Sequence, residues 1–199
     1  MKRLNIVSIA ILAVLYIIVL RSCMEDLKAQ TIPLDGRSFK VDYSPALGIP
    51  TKVEWSISSM DLGRVHRNPA WRFRSDRRAP RPRVSSSMYA NSGYDRGHMC
   101  PAADRSARSA DMRSTFLMTN VCPMTPRVNR VSWLHYEDLA RKIARDRGRC
   151  SVWAAPLFYP EDTLWIGRGR VAVPHAFFKI LFDRDPSRVY AMTIIENKQ

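Results

Sequence analysis

In YDRGHMCPAADR, residues 94 to 105, Asp95, Arg96 and His98 surround Gly97. An imidazole titrates near pH 6.5, so His98 can take and return a proton at working pH. Further along, TNVCPMTPRVNRVSWLHYEDL (119–139) brings Asn120, Asn129 and Glu137. Upstream, RVHRNPAWRFRSDRRAPRPR (64–83) holds eight arginines against one acid, Asp76. One chemistry uses all of these. Phosphodiester hydrolysis needs a base for water, positive charge on the developing phosphorane and help for the leaving oxygen. His98 suits the first need. The amide oxygen of Asn129 is a hard ligand for Mg2+, which keeps several waters and takes further oxygens from a phosphate. Arginine guanidinium groups grip phosphate in pairs of hydrogen bonds.

Taken singly, each residue has a plainer reading. A lone histidine is usually structural, and His66, His135 and His175 are left so. An asparagine before a helix is a cap, a glutamate on a helix is surface charge, and Arg96 pairs with Asp95. An arginine-rich stretch with three prolines is a solvated loop.

These residues must be positioned by elements. TKVEWSIS (51–58) alternates polar and apolar residues, as a strand does. FLMTNV (116–121) reads as a short buried strand ending near Asn120. From Val131 to Arg147, Trp133, Tyr136, Ala140 and Ile143 fall on one helical face. Asn129 is its N-cap and Gly148 its stop. CSVWAAPLF (150–158) and RVYAMTII (188–195) read as strands. The class is α+β, with a central unit of strand, strand and helix.

The chain has 199 residues and 46% hydrophobic content, which suits one packed domain plus a targeting segment. Its net charge is +14 and its pI about 10.2. Only +2 falls in the first 30 residues, where Lys2, Arg3, Arg21 and Lys28 face Glu25 and Asp26. The remaining excess suits a polyanion. Charge alone fits a membrane-surface or ribosome-associated domain as well.

Residues 1–23 open with Lys2 and Arg3 and continue as an apolar run from Ile6 to Leu20. That is the pattern of a signal peptide or, if uncleaved, an N-terminal anchor contacting a membrane. LRSC, ending at Cys23, loosely fits a lipoprotein cleavage box. Each version places the body outside the cytosol: periplasmic, membrane-anchored or secreted. Residues 24–50 read as a linker and 51–199 as the domain. Cys100 and Cys122 either pair or remain two buried thiols, and the absence of a CxxC pair argues against structural zinc.

SGYDRGHMCPAADR followed by FLMTNVCPMTPRVNRVSWLHYEDL resembles the sugar-nonspecific DNA/RNA endonucleases of the ββα-metal fold. This family includes exported bacterial nucleases and mitochondrial endonuclease G. The resemblance runs from about Lys52 to the C-terminus, with VAVPHAFFKILFD (171–183) fitting a later family strand. It implies a mixed or antiparallel sheet with a long metal-site helix. It also implies an endonuclease acting on DNA and RNA without reading sequence, with Mg2+, or Mn2+ in its place, as cofactor. His98 would activate water and Asn129 would be the direct metal ligand. Asn120 and Glu137 would hold the hydrated metal and the histidine, while Asp95 and Arg96 flank the base. An upstream arginine, Arg67 or Arg72, would stabilise the transition state. Gly97 would allow close backbone approach around a phosphate. Products would carry a 5′-phosphate and a 3′-hydroxyl.

The resemblance also brings homodimers, which are common in the family. The family continues well past this chain's last residues, TIIENKQ, which would lie in a central strand. Ala155 stands where the family has glycine. Two other readings stay open: an inactive nucleic-acid-binding protein on the same scaffold, and a membrane-anchored basic interaction protein.

Overall fold

The structure is a computed structural model, and it describes residues 32–35, 38–159 and 162–198. The expected targeting segment and Cys23 lie outside these residues. Among them, no helix is long and apolar enough to cross a membrane.

The main sheet has six strands: β1 (Ile32–Asp35), β2 (Lys40–Ser44), β3 (Ile49–Ser58), β6 (Arg149–Leu157), β9 (Ala176–Phe182) and β10 (Val189–Glu196). They lie in the order β1-β2-β3-β6-β9-β10, each antiparallel to its neighbour. A separate pair joins β4 (Asp95–His98) to β5 (Val121–Met124), with His98 opposite Val121 and Gly97 opposite Cys122. A further short pair, β7 (Trp165–Ile166) with β8 (Val171–Ala172), stands apart. The helices are α1 (Ser109–Ser114) and the long α2 (Trp133–Arg147). Thus β4, β5 and α2 form a strand-strand-helix unit carried on an antiparallel sheet, but its first strand is β4, whereas the expected strand at 51–58 is β3 of the main sheet.

Alternation makes β3: Val53, Trp55 and Ile57 are buried while Lys52, Glu54 and Ser56 stay half-buried. Helix α2 runs against β6 and β3 with Trp133, Ala140 and Ala144 fully buried. Its stop is as expected, with Gly148 at φ 81°.

Several expectations are corrected. Residues 32–35 and 40–44 are strands of the sheet, so the supposed linker belongs largely to the domain. Half of the stretch expected as a strand at 116–121 is a 3-10 turn, Met118–Asn120, and β5 begins only at Val121. Asn129 is not an N-cap. It sits inside a π-helical turn, Val128–Ser132, and its amide N–H already bonds the Thr125 carbonyl at 2.9 Å. The capping side chain is Thr125, whose Oγ1 accepts from the Val128 N–H at 3.3 Å. The buried stripe of α2 is also rotated from the apolar reading. Tyr136 and Ile143 flank it, while Glu137 and Arg141 lie within it. Among the described residues the last strand, β10, lies at an edge of the sheet.

Cys100, Cys122 and Cys150 are buried free thiols, so Cys100 and Cys122 do not pair. On the sheet face away from Trp133, the exposed Trp153 and Met192 both lie opposite Ile180.

Candidate active site

His98 ends β4. Its ring lies 4.9 Å from that of Phe73 and 5.0 Å from that of Phe116, the latter edge-on. Its carbonyl accepts the Trp133 indole N–H at 2.9 Å, which ties the end of β4 to the first turn of α2. Its Nε2 is buried and has no hydrogen-bond partner among the described residues. Burial, and next the Arg67 charge, push the imidazole from its ordinary 6.5 down to about 3. Part of the ring still faces the cavity, so water there offsets some of that burial. The ring is neutral at physiological pH and has a nitrogen free to accept a proton.

The loop that carries Arg67 is long and basic, yet it is anchored. The Arg74 N–H bonds the Phe116 carbonyl at 3.0 Å, and the Met118 N–H bonds the Arg74 carbonyl at 2.9 Å. The loop's one acid, Asp76, is buried and accepts from the Thr119 hydroxyl at 2.8 Å and from the Arg78 guanidinium. A single buried carboxylate therefore fastens a strand-like stretch of arginines beside the site. Arg67 lies over the Phe116 ring at 5.0 Å.

Asn129 donates its Nδ2 hydrogens to Asp95 Oδ2 at 2.9 Å. The same carboxylate takes Arg130 through two bonds of 2.8 Å. First Arg130 and then Asn129 hold Asp95 below the usual carboxylate range. A carboxylate can only accept, so this contact fixes which end of the amide faces away: the oxygen, Oδ1.

One cavity of about 810 Å³ is lined by His98, Arg67, Asn129 and Glu137 together, with Arg141 and Arg145. The π-helical turn places Asn129 there. Glu137 follows on the buried stripe of α2, and burial pushes its carboxyl well above the ordinary range. The donor set fits a hydrated hard cation. It offers one oriented neutral oxygen, and no group of three or more His, Cys, Asp or Glu among the described residues could hold a metal.

The other expected residues lie elsewhere. Asn120 is fully buried and its amide is spent on Cys100 and Thr115: Nδ2 donates to both carbonyls at 2.9 and 3.0 Å, and Oδ1 accepts the Cys100 N–H at 2.9 Å. It braces the chain just after His98 and does not line the cavity. Arg96 donates to the Ser86 carbonyl and lies over Tyr89. Arg72 bonds the Pro69 and Trp71 carbonyls of its own loop. Of the two upstream arginines, Arg67 is the one beside His98. Gly97 serves packing: a Cβ there would fall 2.3 Å from Met124 Sδ, so the close neighbour is Met124 and not a phosphate.

Sequence reasoning missed Asp104, Arg141 and Lys179. Asp104 accepts Arg141 and the Trp55 indole N–H, both at 2.8 Å. Lys179 is 1% exposed beneath Trp133. The available signal was the lone charge in the apolar strand AFFKILF.

A family model described as DNA/RNA non-specific endonuclease matches residues 25–199. A nuclease of Nostoc sp. is 37% identical over 145 residues, covering 72% of this chain and 51% of that protein. Mitochondrial endonuclease G of Homo sapiens is 34% identical over 108 residues, covering 50% of this chain and 36% of the human protein. The chain thus spans about half the length, or less, of these two relatives. A crystal structure of EndoG in complex with EndoGI superposes with a TM-score of 0.75 at 22% identity, covering 83% of this chain and 74% of that one.

Proposed function

The chain belongs to the DNA/RNA non-specific endonuclease family, and on that premise we propose that it hydrolyses phosphodiester bonds of DNA and RNA without reading sequence. The carrying observation is the shared cavity: a neutral histidine with an unpartnered nitrogen, an asparagine oxygen set by Asp95, and an arginine meet on one surface.

His98 takes a proton from the attacking water. Phe73 and Phe116 keep the ring in place, and Trp133 holds the backbone behind it. Arg67 stands where charge would build on the phosphorane. Asn129 would hold Mg2+ through Oδ1, and Glu137 would orient the waters around it. When bound, the ion supplies stabilisation of the departing 3′-oxygen. That assignment leaves the phosphate on the 5′ side of the cut. Asp95, Asn120 and Arg96 act behind these groups, fixing the amide and the chain on either side of His98. Arginine-rich contact with phosphates carries no sequence information, which supports low specificity.

Export is part of the proposal, supported by Lys2, Arg3 and the apolar run from Ile6 to Leu20.

The test is to incubate the full chain with plasmid DNA and with RNA, in Mg2+ and in EDTA, beside His98→Ala. Degradation of both polymers in Mg2+ alone is expected. It should vanish in His98→Ala, which should still bind nucleic acid. Intact substrate with folded wild-type protein would sink the proposal.

A further inference from the structure

Strand β9 carries a lysine on the face where Phe177 and Leu181 are fully buried. Lys179 Nζ lies 3.5 Å from the centroid of the Trp133 ring. Among the described residues it has no hydrogen-bond partner. An ammonium removed from water is costly unless other charges and π faces compensate it.

The surrounding charges identify its counterpart. Asp104, Glu137, Arg141 and Cys100 all act electrostatically on Lys179. Asp104 is already taken by Arg141 and Trp55. Arg141 is spent on Asp104 and on Asp138 at 2.7 Å, and stands 3.9 Å from Glu137. Glu137 lies one helical turn beyond Trp133 and has no closer ion pair than that among the described residues. Lys179 is the buried cation left to answer it.

We propose that Lys179 is a positioning residue of the catalytic centre: its ammonium, seated against Trp133, favours the charged form of the Glu137 side chain that lines the cavity. Burial drives Glu137 up and Lys179 down, and each opposes the other's shift. Asp104 and Asp138 push Glu137 further up, whereas Arg141 acts with Lys179 to bring it down. Trp133 touches both sides of the site: its ring carries the ammonium and its indole N–H binds the His98 carbonyl. The effect on rate rests on the nuclease reading, while the effect on Glu137 does not.

The test replaces Lys179 with Met, which is similar in length and uncharged. In EDTA and without substrate, the side-chain carboxyl of Glu137 is titrated by 13C NMR and assigned with Glu137→Gln. Its midpoint is expected to rise in Lys179→Met by about one pH unit or more, as befits loss of a nearby opposite charge. Lys179→Gln should give the same rise if Lys179→Met folds poorly. In turnover with Mg2+, the acid limb of kcat should move up equally, with a loss of about tenfold per unit on that limb. The KM for DNA should hold, because Lys179 does not line the cavity. The Tm of Lys179→Met should be unchanged or higher. An unmoved Glu137 midpoint in both variants would overturn the proposal. Wild-type protein that cleaves nothing would count against the nuclease reading alone, since the titration uses neither metal nor substrate.

Discussion

The Asn129 amide has two ends, and only the oxygen is useful to a hard cation. Asp95 decides which end is presented, by accepting the Nδ2 hydrogens at 2.9 Å. In Asp95→Ala that restraint is gone while Asn129 remains. Groups that orient a metal ligand typically cost tenfold to a hundredfold in metal affinity when removed. The Mg2+ concentration for half-maximal cleavage should therefore rise by about tenfold or more. Stability should change by less than about 1 kcal/mol, because Arg130, the other partner, is a largely exposed ion pair. An unchanged Mg2+ requirement would show that Asp95 serves Arg130 alone.

Two elements set the distance between His98 and Asn129, the proposed base and metal ligand: the β4–β5 pair, which ends in His98, and the π-helical turn, which holds Asn129. Gly97 is where the first of these is vulnerable. Its Cβ would meet Met124 Sδ at 2.3 Å and Met124 Cβ at 3.0 Å, and Met124 is fully buried. Gly97→Ala should cost about 1–3 kcal/mol, as overpacking does. The Tm should fall and activity should fall with it. An undiminished Tm in Gly97→Ala would mean that the pair yields easily. Strands β3 and β6 and helix α2 were legible in the sequence because they follow the periods of their elements. His98, Asn129 and Glu137 were legible through the resemblance their spacing carries. The π-helical turn was not, because its five residues look like an ordinary helix start and Asn129 like a cap. Nor was the buried charge of Glu137, Arg141 and Lys179. There the alternation rule fails locally, as it does where chemistry overrides packing. The strands β1 and β2 were hidden by prolines at 33 and 45 and by turn residues nearby, which read as linker.

Across the whole molecule, the proposed activity makes the excess of arginine the means by which nucleic acid would be held. Binding through phosphate neutralisation releases counterions, so affinity falls linearly with the logarithm of salt. For His98→Ala in EDTA, about six phosphate contacts would lose about a thousandfold in affinity between about 50 and 200 mM salt. Unrelated duplexes of equal length should bind alike. A shallow slope, or a strong preference among sequences, would point to base contacts instead. The three free cysteines of the described residues carry a different consequence. Burial raises all three thiols, Cys100 and Cys150 to about 12 and Cys122 well above its ordinary value. They have almost no thiolate with which to exchange, and no cross-link among them to lose. The described body is therefore held together in the same way under glutathione as under a disulfide-forming oxidant.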